Sequence, residues 1–257
     1  MTNLQLRTDE RGVTTLTLDR PEVYNAMNRA FIDELTSAVQ SLNNTRVLLI
    51  DANGKHFCAG ADINWMKASA TLTDQQNHDD AMALSQMLDT LNSCPFPTVA
   101  KVQGAALGGG TGLVCCCDIV VASESSRFAF SEVKLGIIPA TISPYALLAI
   151  GARAARRYFL TGEQIDAYEA HRLGLVHDVC PSDNLESQVQ MHVSNLLNAS
   201  PNAQKAAKQL VQETAGKPID LAHRENLAKR LARIRASDDA QEGLSAFLEK
   251  RTPNWSM

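Results

Sequence analysis

Hydrophobic and polar residues recur along the chain with two periods, one typical of strands and one typical of helices. Residues 12–18 alternate as a strand with one polar face does, and residues 29–42 carry apolar side chains along one stripe of a helix. Residues 47–50 are entirely apolar, which predicts a short buried strand closed by the turn signal Asn53-Gly54. The chain therefore begins with a strand, a helix and a second strand.

The same alternation continues toward the middle of the chain. Residues 79–91 predict a second amphipathic helix, and residues 98–102 and 119–122 predict two more strands. Between these strands, the glycines at 108–110 lead into an apolar helix that is predicted to run through Cys117. Strands that alternate with helices predict an α/β architecture in which much of the sheet is parallel.

From about Pro201 the pattern changes to helices only. Ser200 is a suitable N-cap and Pro201 suits the first position of a helix. Residues 220–236 and 239–250 are also amphipathic. We therefore divide the chain into an α/β core over residues 1–198 and a helical region over residues 199–257, which we expect to serve in oligomerisation.

Composition and charge describe an ordinary globular enzyme. Of the 257 residues, 45% are hydrophobic and 20% are charged, which suffices for one large core. The net charge of −4 disfavours a nucleic-acid partner, and the arginine clusters at 153–157 and 230–235 are interpreted as solvated helix faces. No apolar run is long enough to span a membrane. The first twelve residues resemble no targeting signal, so we expect a cytoplasmic location.

Six cysteines are present, and three of them are consecutive at 115–117. Adjacent residues of a helix point in different directions, so these three thiols cannot converge on one metal ion. We expect the cysteines to be small buried apolar residues in a reducing compartment, and we expect no metal site.

Two glycine-rich segments each follow an apolar strand, at residues 56–62 and 104–113. Neither is a nucleotide-binding loop, because Gly54-Lys55 is followed by His56 and the second segment contains no lysine. Glycines at such places allow close packing of a helix on a strand. They also allow a ligand to approach backbone N–H groups, two of which can stabilise an oxyanion. The residues alone leave both interpretations open.

Glu132 lies in an apolar stretch between Phe130 and Leu135. Apolar surroundings raise the pKa of a carboxyl group and suit it to proton transfer. The alternative is an exposed strand residue that faces solvent. His56, Lys67 and Lys134 are interpreted as structural or surface residues.

Four motifs together resemble the enoyl-CoA hydratase/isomerase (crotonase) family, in the family's order and spacing. The resemblance implies a crotonase-type ββα spiral core with a C-terminal helical trimerisation region, assembled as a trimer or a dimer of trimers. It implies an acyl-CoA substrate and no separate cofactor, since coenzyme A is part of the substrate. The motifs are Asn25-Ala26-Met27-Asn28, Cys58-Ala59-Gly60-Ala61-Asp62, Ala106-Leu107-Gly108-Gly109-Gly110 with Cys117-Asp118, and Ser131-Glu132-Val133-Lys134-Leu135-Gly136.

The resemblance also implies roles for single residues. The backbone N–H groups of Ala61 and Gly109 are expected to form an oxyanion hole for the thioester carbonyl, and Glu132 is expected to be the acid/base group. Phe247 and Lys250 are expected to reach a coenzyme A molecule bound by a neighbouring subunit. The other residues expected to contact the substrate are Ala26, Ala59, Asp62, Ile63, Trp65, Gly108 and Gly112.

Gly112 departs from the pattern of the family's hydratases, which commonly carry a glutamate there. One carboxyl group then remains for hydration, and we expect the missing side chain to leave room for a branched or carboxylated acyl chain. A single carboxyl group also suffices to shift a double bond, and a silent acyl-CoA binder is a further alternative.

Residues 64–67, 135–145 and 156–163 resemble the bacterial methylglutaconyl-CoA hydratase-like branch used in leucine degradation. This implies hydration of 3-methylglutaconyl-CoA or a longer carboxylated relative.

Overall fold

The computed structural model describes residues 3–256, which form nine strands and ten α-helices. The strands are β1 (Leu4–Thr8), β2 (Val13–Leu18), β3 (Val47–Ala52), β4 (Thr98–Val102), β5 (Ala105–Leu107), β6 (Ile119–Ser123), β7 (Arg127–Ala129), β8 (Ile165–Asp166) and β9 (Asp178–Cys180). The helices are α1 (Arg29–Ser41), α2 (Ile63–Ser69), α3 (Asp74–Ser93), α4 (Gly109–Cys115), α5 (Ser143–Thr161), α6 (Ala167–Leu173), α7 (Leu185–Leu197), α8 (Pro201–Thr214), α9 (Leu221–Arg235) and α10 (Asp238–Glu249).

Six strands form the main sheet, in the order β1-β2-β3-β4-β6-β9. β1 is antiparallel to β2, and each later pairing in this sheet is parallel. The predicted α/β architecture with a largely parallel sheet is therefore confirmed. A second sheet, β5-β7-β8, holds the strand that leads directly into α4.

Both faces of strand β3 are covered, which explains why residues 47–50 are apolar throughout. In β3, Leu48 and Ile50 point into the larger core, which includes residues of α1 and α3. Val47 and Leu49 point to the other face, where they belong to a smaller core with α7. A strand that is buried on both sides cannot show polar alternation.

The predicted elements of the core are found, although two of the helices have different bounds and several elements were not predicted, among them β1, α2, α5 and α7. The second amphipathic helix begins at Asp74, because Thr73 and Gln76 form a capping box there. The apolar helix after the glycines ends at Cys115 rather than at Cys117. Helix α2 was not predicted; it is only seven residues long, and the side chain of Asp62 caps its start.

The tail is helical from Pro201, as predicted, and the side chain of Ser200 caps α8. It is joined to the core by two partly buried cations, Lys208 and Arg46. Lys208 Nζ donates to Asp118 Oδ2 at 2.7 Å and to the carbonyl of Phe96 at 3.2 Å. The Arg46 guanidinium donates to the carbonyl of Trp255 at 2.9 Å. No helix in residues 3–256 combines the length and the apolarity needed to cross a lipid bilayer.

The cysteines are free thiols, and four of the six are fully buried, as expected of small apolar residues. Burial raises the pKa of Cys58 and of Cys115 to about 12, so both thiols stay protonated and unreactive at neutral pH.

Candidate active site

The two glycine-rich segments lie side by side. Cys58 N–H donates to the carbonyl of Ala105 at 3.1 Å, and Leu107 N–H donates to the carbonyl of Cys58 at 2.9 Å. Ala61 is held in turn by a parallel bridge to Met27. These backbone bonds place the start of α2 and the start of α4 at one site.

Close packing explains one of the glycines. A Cβ atom on Gly110 would lie 2.4 Å from the carbonyl oxygen of Cys58, which is closer than such atoms approach each other. Gly108 is required for a different reason. Its φ of +50° is rare for residues with a side chain, and a Cβ atom there would lie 3.2 Å from Glu132 Oε1. The helix start therefore adjoins the carboxyl group.

The first turn of α4 is pinned by Thr111, which is completely buried. Its hydroxyl Oγ1 lies 2.7 Å from the carbonyl of Ala106 and 3.0 Å from the carbonyl of Ala129. The N–H of Gly108 donates to the same Ala129 carbonyl at 2.8 Å. The backbone that precedes Gly109 is thereby fixed to β5 and β7.

The backbone N–H groups at this site that have no acceptor in residues 3–256 include those of Ala61 and Gly109. Gly109 is the first residue of α4, where a helix offers no internal partner. In the bridge to Met27, the bonds use the Gly60 carbonyl and the Asp62 N–H, which leaves the N–H of Ala61 free. Both residues line the same cavity.

Glu132 opens a short 3₁₀ turn over Glu132–Leu135 and is half-buried, so the alternative of a solvent-facing strand residue is wrong. Its Oε2 atom is buried and has no hydrogen-bond partner within the described residues. Burial raises the pKa of this carboxyl group above its usual range. The group is suited to accepting a proton near neutral pH.

Ala61, Gly109 and Glu132 share a cavity of about 180 Å³. Glu132 is the only ionisable side chain among the lining residues that the structure describes. The other polar side chains of the lining are those of Ser131, Thr141 and Trp65. The rest of the wall is apolar or backbone, from Met27, Ala59, Gly60, Trp65, Met66, Leu84, Gly108, Leu135, Ile137, Ile138, Pro139 and Ile142.

Trp65 stands between this cavity and a neighbouring open groove of about 410 Å³, and it lines both. Its Nε1 donates to Asp80 Oδ2 at 3.0 Å, and Asp80 Oδ1 accepts from Arg29 at 2.9 Å. Asp62 lines the groove but not the cavity. The groove therefore adjoins the cavity, with Trp65 as their shared wall.

Two supporting residues were not predicted, Arg20 and Asn25. The Arg20 guanidinium bonds to the carbonyl of Ala26 and to Asp62 Oδ2, the latter at 3.3 Å. Asn25 is fully buried, and its Nδ2 donates to the carbonyls of Asn53 and His56 at 2.9 Å each. The position of Arg20 and Asn25 between two apolar elements could have predicted this role, since polar side chains that become buried there need hydrogen-bond partners.

The other predicted contact residues are dispersed. Ala26 is buried outside the cavity, and Ile63 is 64% exposed at the start of α2. Phe247 and Lys250 lie in the tail, Phe247 being 80% exposed, and neither lines the cavity of its own chain. His56 has a structural role as expected, because its Nδ1 accepts from the N–H of Ala105 at 3.1 Å.

The expectation of free room beside Gly112 is wrong. A Cβ atom on Gly112 would lie 2.4 Å from Cγ2 of Ile142 and 3.6 Å from Cδ2 of Leu88. Gly112 is buried in α4 and does not line the cavity. The glycine is needed because Ile142 already occupies the space that its side chain would take.

Comparison with known proteins agrees with this geometry. Residues 8–257 match the enoyl-CoA hydratase/isomerase family. The chain belongs to this family. The predicted enzyme class, an enoyl-CoA hydratase of the crotonase superfamily, is thereby confirmed at the level of the family.

Relatives of similar length support the assignment. The 2,3-dehydroadipyl-CoA hydratase of Escherichia coli (strain K12) is 37% identical over 256 residues, covering 96% of this chain and 96% of the relative. A solved enoyl-CoA hydratase from Shewanella pealeana is 42% identical with a TM-score of 0.94, covering 98% of this chain and 96% of that one. Pseudomonas aeruginosa AtuE is 34% identical with a TM-score of 0.95, covering 99% and 100%. The predicted crotonase-type fold is confirmed by these likenesses.

Proposed function

We propose that this family member adds water to a branched 2-enoyl-CoA thioester, with Glu132 as its single acid/base group. The observation that carries the proposal is the pairing of a buried, unpartnered carboxyl oxygen with two free backbone N–H groups around one cavity. Those are the two devices that an enolate mechanism requires, a proton carrier and a site for negative charge.

The reaction balances with one carboxyl group. The Glu132 carboxylate takes a proton from a water molecule while the water oxygen bonds to C3 of the substrate. The electron pair of the C2–C3 double bond moves to the thioester, whose oxygen becomes negative. Glu132 then returns the proton to C2 from the same side, so the addition is syn and the carboxylate is restored.

The negative oxygen is held by the N–H groups of Ala61 and Gly109. Donors that are fixed before the reaction stabilise the negative oxygen strongly in a site shielded from water, and losing one donor typically raises the barrier by about 3–4 kcal/mol.

Beyond the thioester, coenzyme A follows the groove past Asp62 and Ile63, with Ala26 and Ala59 beside the pantetheine. Phe247 and Lys250 of a neighbouring subunit complete its binding site.

The acyl chain is 3-methylglutaconyl or a longer carboxylated relative. The apolar wall suits a branched carbon chain, and burial of such carbons is favourable. No cation lines the described cavity, so the hydroxyls of Ser131 and Thr141 are the groups that receive a distal carboxylate. The Escherichia coli relative is itself named for a carboxylated acyl chain.

The chain assembles as a trimer or a dimer of trimers through its helical tail. Helices α8 and α9 contain no buried residue in residues 3–256, although both carry apolar side chains. An apolar groove of about 560 Å³ runs between them, lined by Leu210, Leu227, Leu231 and Ile234 among others. Exposed apolar surface of this extent is typical of an interface between subunits.

The test is a product analysis with purified protein. Crotonyl-CoA, 3-methylglutaconyl-CoA and 2,3-dehydroadipyl-CoA are each incubated with the wild type and with Glu132→Gln. The products are separated by chromatography and identified by mass and by magnetic resonance, so that an isomer is distinguished from unreacted substrate. The wild type should form a 3-hydroxyacyl-CoA, fastest from the branched substrate. Glu132→Gln should bind acyl-CoA but hydrate it about 10²–10⁴-fold more slowly.

Other outcomes decide between the alternatives. A shifted double bond without a gain of water would identify an isomerase. Tight acyl-CoA binding without any turnover would identify a silent binder. Full hydratase activity in Glu132→Gln would refute the role of Glu132.

A further inference from the structure

Ile142 is in contact with both the catalytic cavity and the unusual glycine of α4. Its side chain is 2% exposed and lines the cavity that contains Glu132. The same side chain meets the position of Gly112, where an ideal Cβ atom would lie 2.4 Å from Ile142 Cγ2 and 3.0 Å from Ile142 Cβ. The side chain of Ile142 thus fills the space that a side chain at position 112 would otherwise occupy.

The backbone around Ile142 leaves this side chain little freedom to move. The carbonyl of Ile142 accepts from the N–H of Ala146 at 3.0 Å, which fixes the residue at the start of α5. Leu88 of α3 lies on the same side of Gly112, 3.6 Å from its ideal Cβ atom, and is completely buried. A packed interior does not yield space without cost, so the contact is a fixed part of the wall.

We infer that Ile142 determines which acyl groups the enzyme accepts. Its side chain forms part of the apolar wall of the cavity that contains Glu132 and limits the size of the substituent on C3 of the substrate. Gly112 is the partner that makes this wall possible. The inference rests on the proposed function, since it concerns the acyl side of the same cavity.

Two consequences follow from the contact. Ile142→Ala removes three carbon atoms from the cavity wall and should admit a larger substituent. Gly112→Ala adds one carbon atom that overlaps Ile142 Cγ2 and should destabilise the protein. In the double variant Gly112→Ala/Ile142→Ala that overlap is gone, and only the 3.0 Å approach to the remaining Cβ persists.

The first experiment measures substrate preference with a matched pair of thioesters. Crotonyl-CoA carries a methyl group on C3, and 5-methyl-2-hexenoyl-CoA carries an isobutyl group, which adds three carbon atoms. Ile142→Ala should shift the ratio of kcat/KM toward the larger substrate by about tenfold or more, as a pocket does for a methylene or more of extra space. Ile150→Ala is the control, because Ile150 is buried in the same helix and does not line this cavity.

The second experiment does not depend on hydration. In a Glu132→Gln background, calorimetry compares binding of the saturated butyryl-CoA and 5-methylhexanoyl-CoA with and without Ile142→Ala. A shift of affinity toward the larger chain supports the inference even if the reaction proves to be isomerisation. An unchanged ratio of affinities, in protein that binds acyl-CoA, overturns it.

Thermal unfolding of the two single variants and the double variant tests the contact itself. The double variant should unfold at a higher temperature than Gly112→Ala alone, although Ile142→Ala alone lowers the midpoint. If the two effects simply add, Gly112 and Ile142 are independent, and the inference fails.

Discussion

Glu132 is a residue whose environment decides its chemistry. A carboxyl group that is shielded from water and lacks a hydrogen-bond partner holds its proton more tightly than an exposed one. The same shielding makes the ionised form costly in the folded protein. The same burial that makes Glu132 a base of suitable strength therefore lowers the stability of the folded wild type at neutral pH.

That cost predicts how stability depends on pH. Because the pKa of Glu132 is raised, the folded protein binds this proton more tightly than the unfolded chain does. Stability from this proton is fully present in acid and is lost as pH rises through the raised pKa. Glu132→Gln lacks the charge, so it should melt at a higher temperature than the wild type at neutral pH, by a difference that shrinks toward acid.

The measurement is a series of thermal melts between acid and neutral pH. Glu163→Gln is the contrasting control, since Arg157 lowers the pKa of Glu163 and its ionised form is the favoured one. That variant should be less stable than the wild type at neutral pH, because it loses the favoured carboxylate. A neutral-pH melt of Glu132→Gln at or below the wild-type midpoint would show that the carboxylate is not destabilising.

Single residues also show what a sequence can and cannot predict. Glu132 is recognisable from its apolar neighbours and its motif. The expectation for Gly112 was wrong, because a glycine shows that a side chain is missing and not that its place is empty. Ile142, which fills that place, belongs to another element, and only the packing of α5 against α4 brings the two together.

At the scale of elements, the site depends on how firmly the first turn of α4 is held. The free N–H of Gly109 can stabilise charge only if it is fixed before the substrate arrives. The single hydroxyl hydrogen of Thr111 is shared between two of the bonds that fix it, to the carbonyls of Ala106 and Ala129. The sequence shows a threonine among glycines and apolar residues, but the two carbonyls come from β5 and β7, which the pattern did not predict.

Thr111→Val tests this anchor. Valine keeps the shape of the side chain and removes both bonds, so the protein should lose about 1–3 kcal/mol of stability, and kcat should fall more than binding weakens. Thr111→Ser keeps the hydroxyl and is the matched control, with a smaller loss in both measurements. Denaturant unfolding and steady-state kinetics give the two values. Equal kinetics in Thr111→Val and the wild type would mean that α4 holds its position without these bonds.

Among the larger elements, strands β3, β4 and β6 and helices α1, α3, α9 and α10 were predicted, because their periodicity reflects burial directly, whereas α5 and α7 were not predicted. Helix α2 escaped prediction because seven residues are too few to display a period, and none of its side chains is buried. Its N-cap Asp62 was recognised only as part of a motif.

At the scale of the whole molecule, the helices of the tail have apolar faces that the same chain does not cover completely. Arg46 and Lys208 tie it to the core through carbonyls and Asp118, yet its apolar side chains remain exposed in a single chain. The sequence predicts three amphipathic helices here, and their polar faces are apparent. Periodicity does not reveal whether the apolar faces meet the same chain or another copy.

Self-association through the tail can be measured directly. We expect sedimentation to show a trimer or a hexamer for the wild type, and Leu231→Asp should shift it toward smaller species because a charge is then placed in the apolar groove between α8 and α9. Lys229→Asp changes a charge on the same helix outside that groove and should leave the assembly intact. A wild-type monomer would refute the proposal.

The central claim is that one carboxyl group both removes a proton from water and returns it to C2. Hydration in D2O, followed by magnetic resonance of the product, tests it most directly. The account predicts one deuterium atom at C2 on the same face as the new hydroxyl, and formation of this product about 10²–10⁴-fold more slowly with Glu132→Gln. Deuterium on the opposite face, which a single carboxyl group cannot supply, would contradict it.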